Sequence, residues 1–369
     1  MFTRPIIALR RWGAGETARR LRALLPRPLR SMLHRAKTSI DNIPLRIVLP
    51  PPGRQAPVRV AVFGSFADNW LARLSEPQTW RACPAVAEIV LWPDDPAQPF
   101  PEPSPADLRT VVIALSEDNI LNRPPSLAAL APDRRAVATL RNKASFAAYV
   151  AAEGLGEVCP VTYTTRAQVA FPCIVKYVTA AFGFGSRILR SDRELDDFLR
   201  GEPWDGGKFI VQQCLAGPVE YATHCVCKAG RILWSATLAF ENEAGQEIRR
   251  GIAFKSMTAV ASPAVAVAAI ERLLLPLRYD GPCSVDYTLL PAGRIAVYEI
   301  NARFGGTLML AANRAALQQA LACIVDNAAV AGGLTPGESE PEATEELAVK
   351  RVRSPRRFAW SKSGKSGMP

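Results

Sequence analysis

Four residues in the apolar part of this chain have types and spacing suited to chemistry: Asp286, Glu299, Asn301 and Arg303. They fall in a stretch from Cys283 to Thr307 that reads CSVDYTLL, PAGR and IAVYEINARFGGT. Two β-prone apolar runs around a Pro-x-Gly turn form a hairpin signature. With Pro291 to Arg294 as a four-residue loop, Leu290 faces Ile295 and Asp286 faces Glu299. Asn301 shares the face of Glu299, because side chains alternate along a strand. Like charges opposed across a sheet destabilise it, so the pair implies a cation between the carboxylates. An all-oxygen set suits Mg²⁺, which keeps several waters and commonly shares its shell with nucleotide phosphates. Mn²⁺ accepts the same kind of donor. The competing reading is a solvated hairpin face, since exposed Asp and Glu are ordinary.

Other segments must bring anion-binding groups to this hairpin. The run FPCIVKYV places Lys176 at the end of a buried strand, and TAAFGFGSRIL follows with Gly183, Gly185 and Ser186. Glycines let backbone N–H groups approach phosphate oxygens while the ammonium screens their charge; Arg187 is an extra contact. Lys143 opens a helix over ASFAAYVAAEGLGE, and SDRELDDFL reads as a helix capped by Ser191 with Glu194 closing a capping box. KFIVQQCLAGPVEYATHCVCKAGRILWSATLAF predicts strands turned at Ala216-Gly217-Pro218 and Ala229-Gly230. His224 shares the face of Glu220 four residues earlier and reads as structural. ENEAGQEIRRGIAFKSM is either a loop bringing Arg249, Arg250 and Lys255 to a phosphate or anionic substrate, or a solvated loop. VAVAAIERLLLPLRY is a core helix ending near Pro276, and LMLAANRAALQQALACIVDNAAVAG a second one after Gly305-Gly306. Between Val58 and Arg135, VRVAVFGSF, NWLARLSEPQTWRAC, AEIVLWPDD and TVVIALSEDNI alternate strand and helix, a βαβ pattern with a parallel sheet. Glu117-Asp118-Asn119, the acidic end of its last strand, either faces an acceptor-substrate cleft or, the favoured reading, is a solvated strand end.

EINARFGG resembles the E-x-N-x-R metal and phosphate motif of the ATP-grasp superfamily, and the Asp thirteen residues upstream of Glu299 fits it. The nearest likeness is to the carbamoyl phosphate synthetase large chain and the carboxylate-amine ligases built like it, over Val58 to Pro336. The resemblance implies an α/β protein with α+β lobes, in which a small βαβ pre-ATP-grasp domain precedes an ATP-grasp fold. The expected divisions are a basic, partly helical arm over residues 1–52, the small domain over 53–135, the ATP-grasp domain over 136–335 with a hinge near 211–217, and a basic low-complexity tail over 336–369. It implies ATP and Mg²⁺ as cofactors. Asp286, Glu299 and Asn301 would hold the metal, and Lys143, Lys176, Gly183, Gly185 and Ser186 would face phosphates. Gln213 and Leu215 would meet the adenine edge, Glu220 would accept from the ribose hydroxyls, and Arg303 and Asn301 would serve catalysis. The implied activity is ligation of a small-molecule carboxylate to an amine through an acyl phosphate. The alternative from another class is a catalytically silent nucleotide-binding regulatory or scaffold protein. Three departures are visible: Ala302 stands where Pro is frequent, Gln213 where an acid is common, and the glycine loop runs into Arg187.

Of the 369 residues 49% are hydrophobic, ample for real cores. The net charge of +11 resides in the tails: residues 1–45 carry +8 and residues 350–369 carry +7, leaving −4 between them. That distribution argues against nucleic acid as the partner of the folded part and assigns any docking, to an anionic membrane surface or a protein, to the arm and tail. A homodimer is compatible with the sequence. Eight cysteines without a C-x-x-C pair, and no secretory h-region, predict free thiols in a reducing compartment, hence a cytoplasmic protein, with a peripheral membrane position open to it. With His34 and His224 the only histidines, a His-dependent triad or a multi-His metal site is disfavoured, which favours chemistry run by Lys, Arg and carboxylates.

Overall fold

The structure is a computed structural model that describes residues 45–49, 56–64, 68–92, 109–123, 126–178, 185–204, 207–215, 217–244, 246–249 and 254–330. The helices expected in the basic arm, the tail, Gly183 and Arg250 lie outside these residues.

The first sheet comprises β1 (Leu45–Val48), β2 (Val58–Phe63), β3 (Val86–Trp92), β4 (Arg109–Ala114), β5 (Ala128–Ala129) and a late strand, β15 (Ala329–Val330), in the order β1-β3-β2-β4-β5-β15. The β2 pairings with β3 and β4 are parallel, while β1 and β15 close the two edges in antiparallel fashion. β1 belongs to the stretch assigned to the arm. Strands buried on both faces read as near-continuous apolar runs; VRVAVF and VAEIVLW do so apart from Arg59 and Glu88, which pair across the two strands with Nε 2.9 Å from Oε2. Two expectations are corrected here. The first helix, α1, stops at Leu74 (Asp68–Leu74), because Pro77 opens a separate 3-10 turn. The fourth strand stops at Ala114. Ser116 then caps α2 (Glu117–Asn122), its Oγ accepting from the Asn119 N–H at 3.1 Å. Ser followed by two acids favours a helix start over a strand end, since both the cap and the first-turn charges meet unpaired N–H groups.

Two helices follow, α3 (Arg134–Arg141) and α4 (Lys143–Ala152). Asn142 caps α4 by accepting from the Ala144 and Ser145 N–H groups at 2.9 and 3.1 Å. The second sheet is antiparallel, β6 (Thr162–Tyr163), β7 (Cys173–Tyr177), β8 (Arg187–Leu189) and β9 (Phe209–Gln213) in the order β6-β9-β7-β8. It packs on Leu195 and Phe198 of α5 (Asp192–Gly201). Ser191 caps that helix as expected, but Glu194 reaches the Arg190 N–H, one residue before the cap.

The third sheet carries β10 (Val219–Lys228), β11 (Arg231–Glu241), β12 (Ser256–Val260), β13 (Gly281–Leu290) and β14 (Arg294–Asn301), all antiparallel, in the order β12-β11-β10-β13-β14. Ser256 and Met257, expected in a loop, begin β12. On one face Ile270 and Leu273 of α6 (Ala264–Leu274) pack against Val285, Tyr287 and Val297. Below the first sheet, α7 (Arg314–Asn327) sets Leu317, Leu321 and Ile324 against Val60, Ile89 and Val111. Two 3-10 turns, Gly306–Met309 and Ala311–Asn313, stand where that helix was expected to begin. The eight cysteines are free thiols. No helix among the described residues is long and apolar enough to cross a membrane.

Candidate active site

The β13–β14 hairpin differs from its expected form at the loop and agrees with it at the charged residues. Leu290 pairs with Arg294 instead of Ile295, so the loop is Pro291–Gly293, with Ala292 at φ 60°. A bulge at Tyr298 restores the offset, and Asp286 pairs with Glu299 and Ser284 with Asn301. A bulge sets two residues against one and re-aims a side chain. Here it brings both carboxylates to one face and directs Tyr298 to the Leu215 carbonyl, which accepts its hydroxyl at 3.1 Å.

Each carboxylate meets its own cation. Lys143 at the start of α4 places Nζ 3.1 Å from Glu299 Oε2. Lys176 at the end of β7 sits 5.1 Å over the Tyr298 ring. Burial acts to raise the Glu299 pKa, but Lys143 and Lys176 outweigh it and hold the carboxyl below its usual range. Asp286 goes the other way: burial pushes it up, against the attraction of Arg249 and with the help of Glu299 and Glu220. Burial also lowers the Lys176 pKa, opposed by Glu299 and aided by Lys143. The site is therefore a closely balanced set of opposite charges at low exposure.

Arg249 is the cation of Asp286, Nη2 to Oδ1 at 2.8 Å. Its backbone N–H donates to Glu220 Oε1 at 2.8 Å, its Nε lies 3.6 Å from Glu220 Oε2, and its guanidinium stacks over Phe240 at 4.3 Å. Arg303 pairs with Glu117 of α2, Nε to Oε2 at 3.0 Å, and donates to Asn301 Oδ1 at 3.3 Å. Asn301 Nδ2 is 3.5 Å from Asp286 Oδ2. So Asp286, Glu299, Asn301, Arg303, Lys143, Lys176 and Glu220 come to one connected patch, together with Arg249.

Other expected residues stand elsewhere. Gln213 is exposed at the end of β9, its backbone N–H bonded to the Val161 carbonyl. Gly185, at φ 76°, packs against Tyr177, and Ser186 is half-buried beside it. Arg187 is exposed in β8 and stacks on Phe198 at 5.9 Å, and exposed Lys255 pairs with Glu241 at 3.0 Å. For Lys255 the solvated alternative is the one observed, and Arg187 is turned towards Phe198. His224 is buried and structural, bonded through Nε2 to Thr307 Oγ1 at 2.9 Å.

The donors suit a divalent cation: two opposed carboxylates and an adjacent amide, the set that binds hard oxygen-seeking ions. Asn301 turns its oxygen to Arg303 and its nitrogen to Asp286, so it offers oxygen to a metal after an amide flip. Among the described residues, no three His, Cys, Asp or Glu side chains gather as a metal site, and the third donor here is that amide.

Glu117 and Tyr298 are the neighbours that sequence reasoning misplaced or passed over. The Ser116 cap signal was available for the first. Nothing in the local sequence announces the bulge that aims the second.

No family model and no curated protein sequence matches the chain. Its structure is similar to that of a D-alanine-D-alanine ligase from Bacillus anthracis, with a TM-score of 0.50, 13% identity, and 73% of this chain and 97% of that one covered. The chain has an ATP-grasp fold. Also similar are an L-amino acid ligase from Bacillus licheniformis, at TM-score 0.44, 17% identity and 69% of each chain, and a D-cycloserine synthetase, at 0.48, 13%, and 72% and 98% of the two chains. At such identities the likeness speaks for the architecture alone. Within the ATP-grasp fold of this chain, the charged patch lies on the third sheet, with Lys143 and Lys176 reaching it from α4 and the second sheet.

Proposed function

We propose that the protein is an ATP-dependent ligase that activates a carboxylate as an acyl phosphate and joins it to an amine. The observation that carries this reading is the pairing of Asp286 with Glu299 in a patch where Lys143, Lys176, Arg249 and Arg303 converge. The likeness of EINARFGG to the metal motif of the carbamoyl phosphate synthetase large chain, and the ligases named among the similar structures, support it.

In this reading Asp286, Glu299 and Asn301 hold Mg²⁺, which when bound supplies charge neutralisation along the phosphate chain. Lys143 and Lys176 neutralise phosphate oxygens, and Glu220 accepts from the ribose. Gly185 and Ser186 approach the phosphates, while Leu215 and Gln213 border the base. A substrate carboxylate attacks the γ-phosphorus, releasing ADP and leaving an acyl phosphate. The amine then attacks the acyl carbon, loses a proton and expels phosphate. Arg303 stabilises the charge on the transferred group. Positioning and electrostatics carry such transfers, and no step needs a covalent protein nucleophile.

The test is thermal unfolding with ATP and Mg²⁺ of the parent and of Glu299→Gln. A ligand at a hundred times its dissociation constant adds about 2.7 kcal/mol, so the parent's midpoint rises and the variant loses the magnesium-dependent part. No shift in a folded parent removes the reading. A second reading, a silent nucleotide-binding protein, is favoured by the Arg249 bond to Asp286, which already satisfies a carboxylate of the set. ADP release that depends on an added carboxylate and amine separates the two.

A further inference from the structure

One arginine, through its side chain and its backbone, contacts the two acidic groups assigned to different parts of the nucleotide. Asp286 belongs to the metal set and Glu220 to the ribose, yet Arg249 bonds the first at 2.8 Å through Nη2. It bonds the second through its backbone N–H at 2.8 Å, with Nε at 3.6 Å. Phe240 fixes the plane of the guanidinium from one side at 4.3 Å. Glu220 is 9% exposed, and the Arg249 and Asp286 side chains are each 17% exposed. Little water reaches them, and the attraction is weakly screened. A divalent cation approaching Asp286 meets this tethered charge, and either the two repel or the arginine gives way.

We propose that Arg249 is a tethered counter-cation that competes with the metal for Asp286, and that occupation of Glu220 by a nucleoside loosens it, coupling nucleoside binding to metal binding. The proposal rests on the assignment of Asp286 to the metal and Glu220 to the ribose. A ribose hydroxyl on Glu220 replaces the arginine's contacts there and weakens its hold on Asp286, so the metal pays less to displace it. Such coupling is reciprocal: the metal tightens nucleoside binding by the same factor. It is separable from the ordinary bridging of metal and phosphate, because adenosine has no phosphate for a metal to touch.

The experiment is a calorimetric titration of Mn²⁺ into the full chain, with and without saturating adenosine, for the parent, Arg249→Met and Arg249→Lys. Coupling of typical size is a change of roughly 5- to 150-fold. In the parent, adenosine tightens Mn²⁺ by about tenfold within that range. Arg249→Met binds Mn²⁺ more tightly from the outset and gains less than about twofold from adenosine, while Arg249→Lys, which keeps the charge, behaves as the parent does. Should Arg249→Met not fold, Arg249→Gln carries the same expectation. Unchanged or weaker Mn²⁺ binding in the neutral variant overturns the proposal, as does coupling that persists in it or is missing from the parent. The underlying assignment fails by a different result: Glu299→Gln binding Mn²⁺ and Mg²⁺·ATP as tightly as the parent.

Discussion

His224 is buried to 1% exposure with Nδ1 unpartnered, and burial, with Arg249 adding repulsion, pushes its pKa down to about 4. An unfolded histidine titrates near 6.5. The folded state therefore disfavours the charged ring, and its contribution to stability is full above pH 6.5 and lost as the pH falls towards 4. The loss amounts to roughly 2 kcal/mol by pH 5. Denaturant unfolding at pH 7 and pH 5 should show a smaller acid loss in His224→Gln than in the parent. A second prediction at this scale concerns Glu117, whose carboxylate holds Arg303 while both side chains are under a fifth exposed. Glu117→Gln leaves the guanidinium without that charge. Carboxylate-dependent ADP release is expected to fall about tenfold or more, in the range of a misplaced catalytic group, with Mg²⁺·ATP affinity nearly unchanged. Equal losses in both measurements would place Glu117 in nucleotide binding instead. Alternation along a strand made the shared face of Glu299 and Asn301 legible from sequence, whereas the facing of Asp286 and Glu299 came out as expected only because the bulge at Tyr298 offsets the shorter loop. Glu117 was not legible, because its contact with Arg303 spans 186 residues and depends on the packing of two sheets.

Elements were read best where one period dominates. The helix from Ala264 and the mostly apolar strands of the first sheet follow patterns that local sterics and burial enforce, while the helix from Lys143 is marked by its Asn142 cap and alanine-rich sequence. The errors fall at boundaries where a turn residue competes with the pattern: Pro77 ending α1, Ser116 starting α2, and the three-residue loop after Leu290. Register at the loop and register at the carboxylates are separate quantities, because the bulge at Tyr298 intervenes. The chain leaves β14 under a tight constraint as well. A Cβ on Gly305 would run into the His224 ring and the Ser284 hydroxyl. Gly305→Ala should destabilise the protein by about 1 to 3 kcal/mol. Adding His224→Ala removes one obstacle and makes the two costs less than additive, which a double-mutant cycle by denaturant unfolding measures.

At the scale of the whole molecule, charge is the property that sequence alone distributes: +8 over residues 1–45, +7 over residues 350–369 and −4 between them. An acidic body with cationic ends should sediment with vesicles containing phosphatidylserine at low salt if the ends dock on anionic membranes. Binding should vanish in a chain lacking both ends, and should weaken as salt shortens the reach of the charges to about 10 Å at 0.1 M. Retention of binding without the ends would assign it to the body. The fold class was readable because the βαβ pattern and the hairpin each have strong local signatures. The meeting of the sheets was not, since it depends on contacts between residues far apart in sequence.

The first sheet is begun early in the chain and completed late. Its Val60, Ile89 and Val111 face is covered by Leu317, Leu321 and Ile324, and its last edge is closed by Ala329 and Val330 against Ala129 and Ala128. A ribosome adding about 5 to 20 residues each second exposes that apolar face for roughly ten to forty seconds before its cover emerges. For that interval the nascent chain presents a sheet with an open edge and an uncovered face, the kind of surface a chaperone shields.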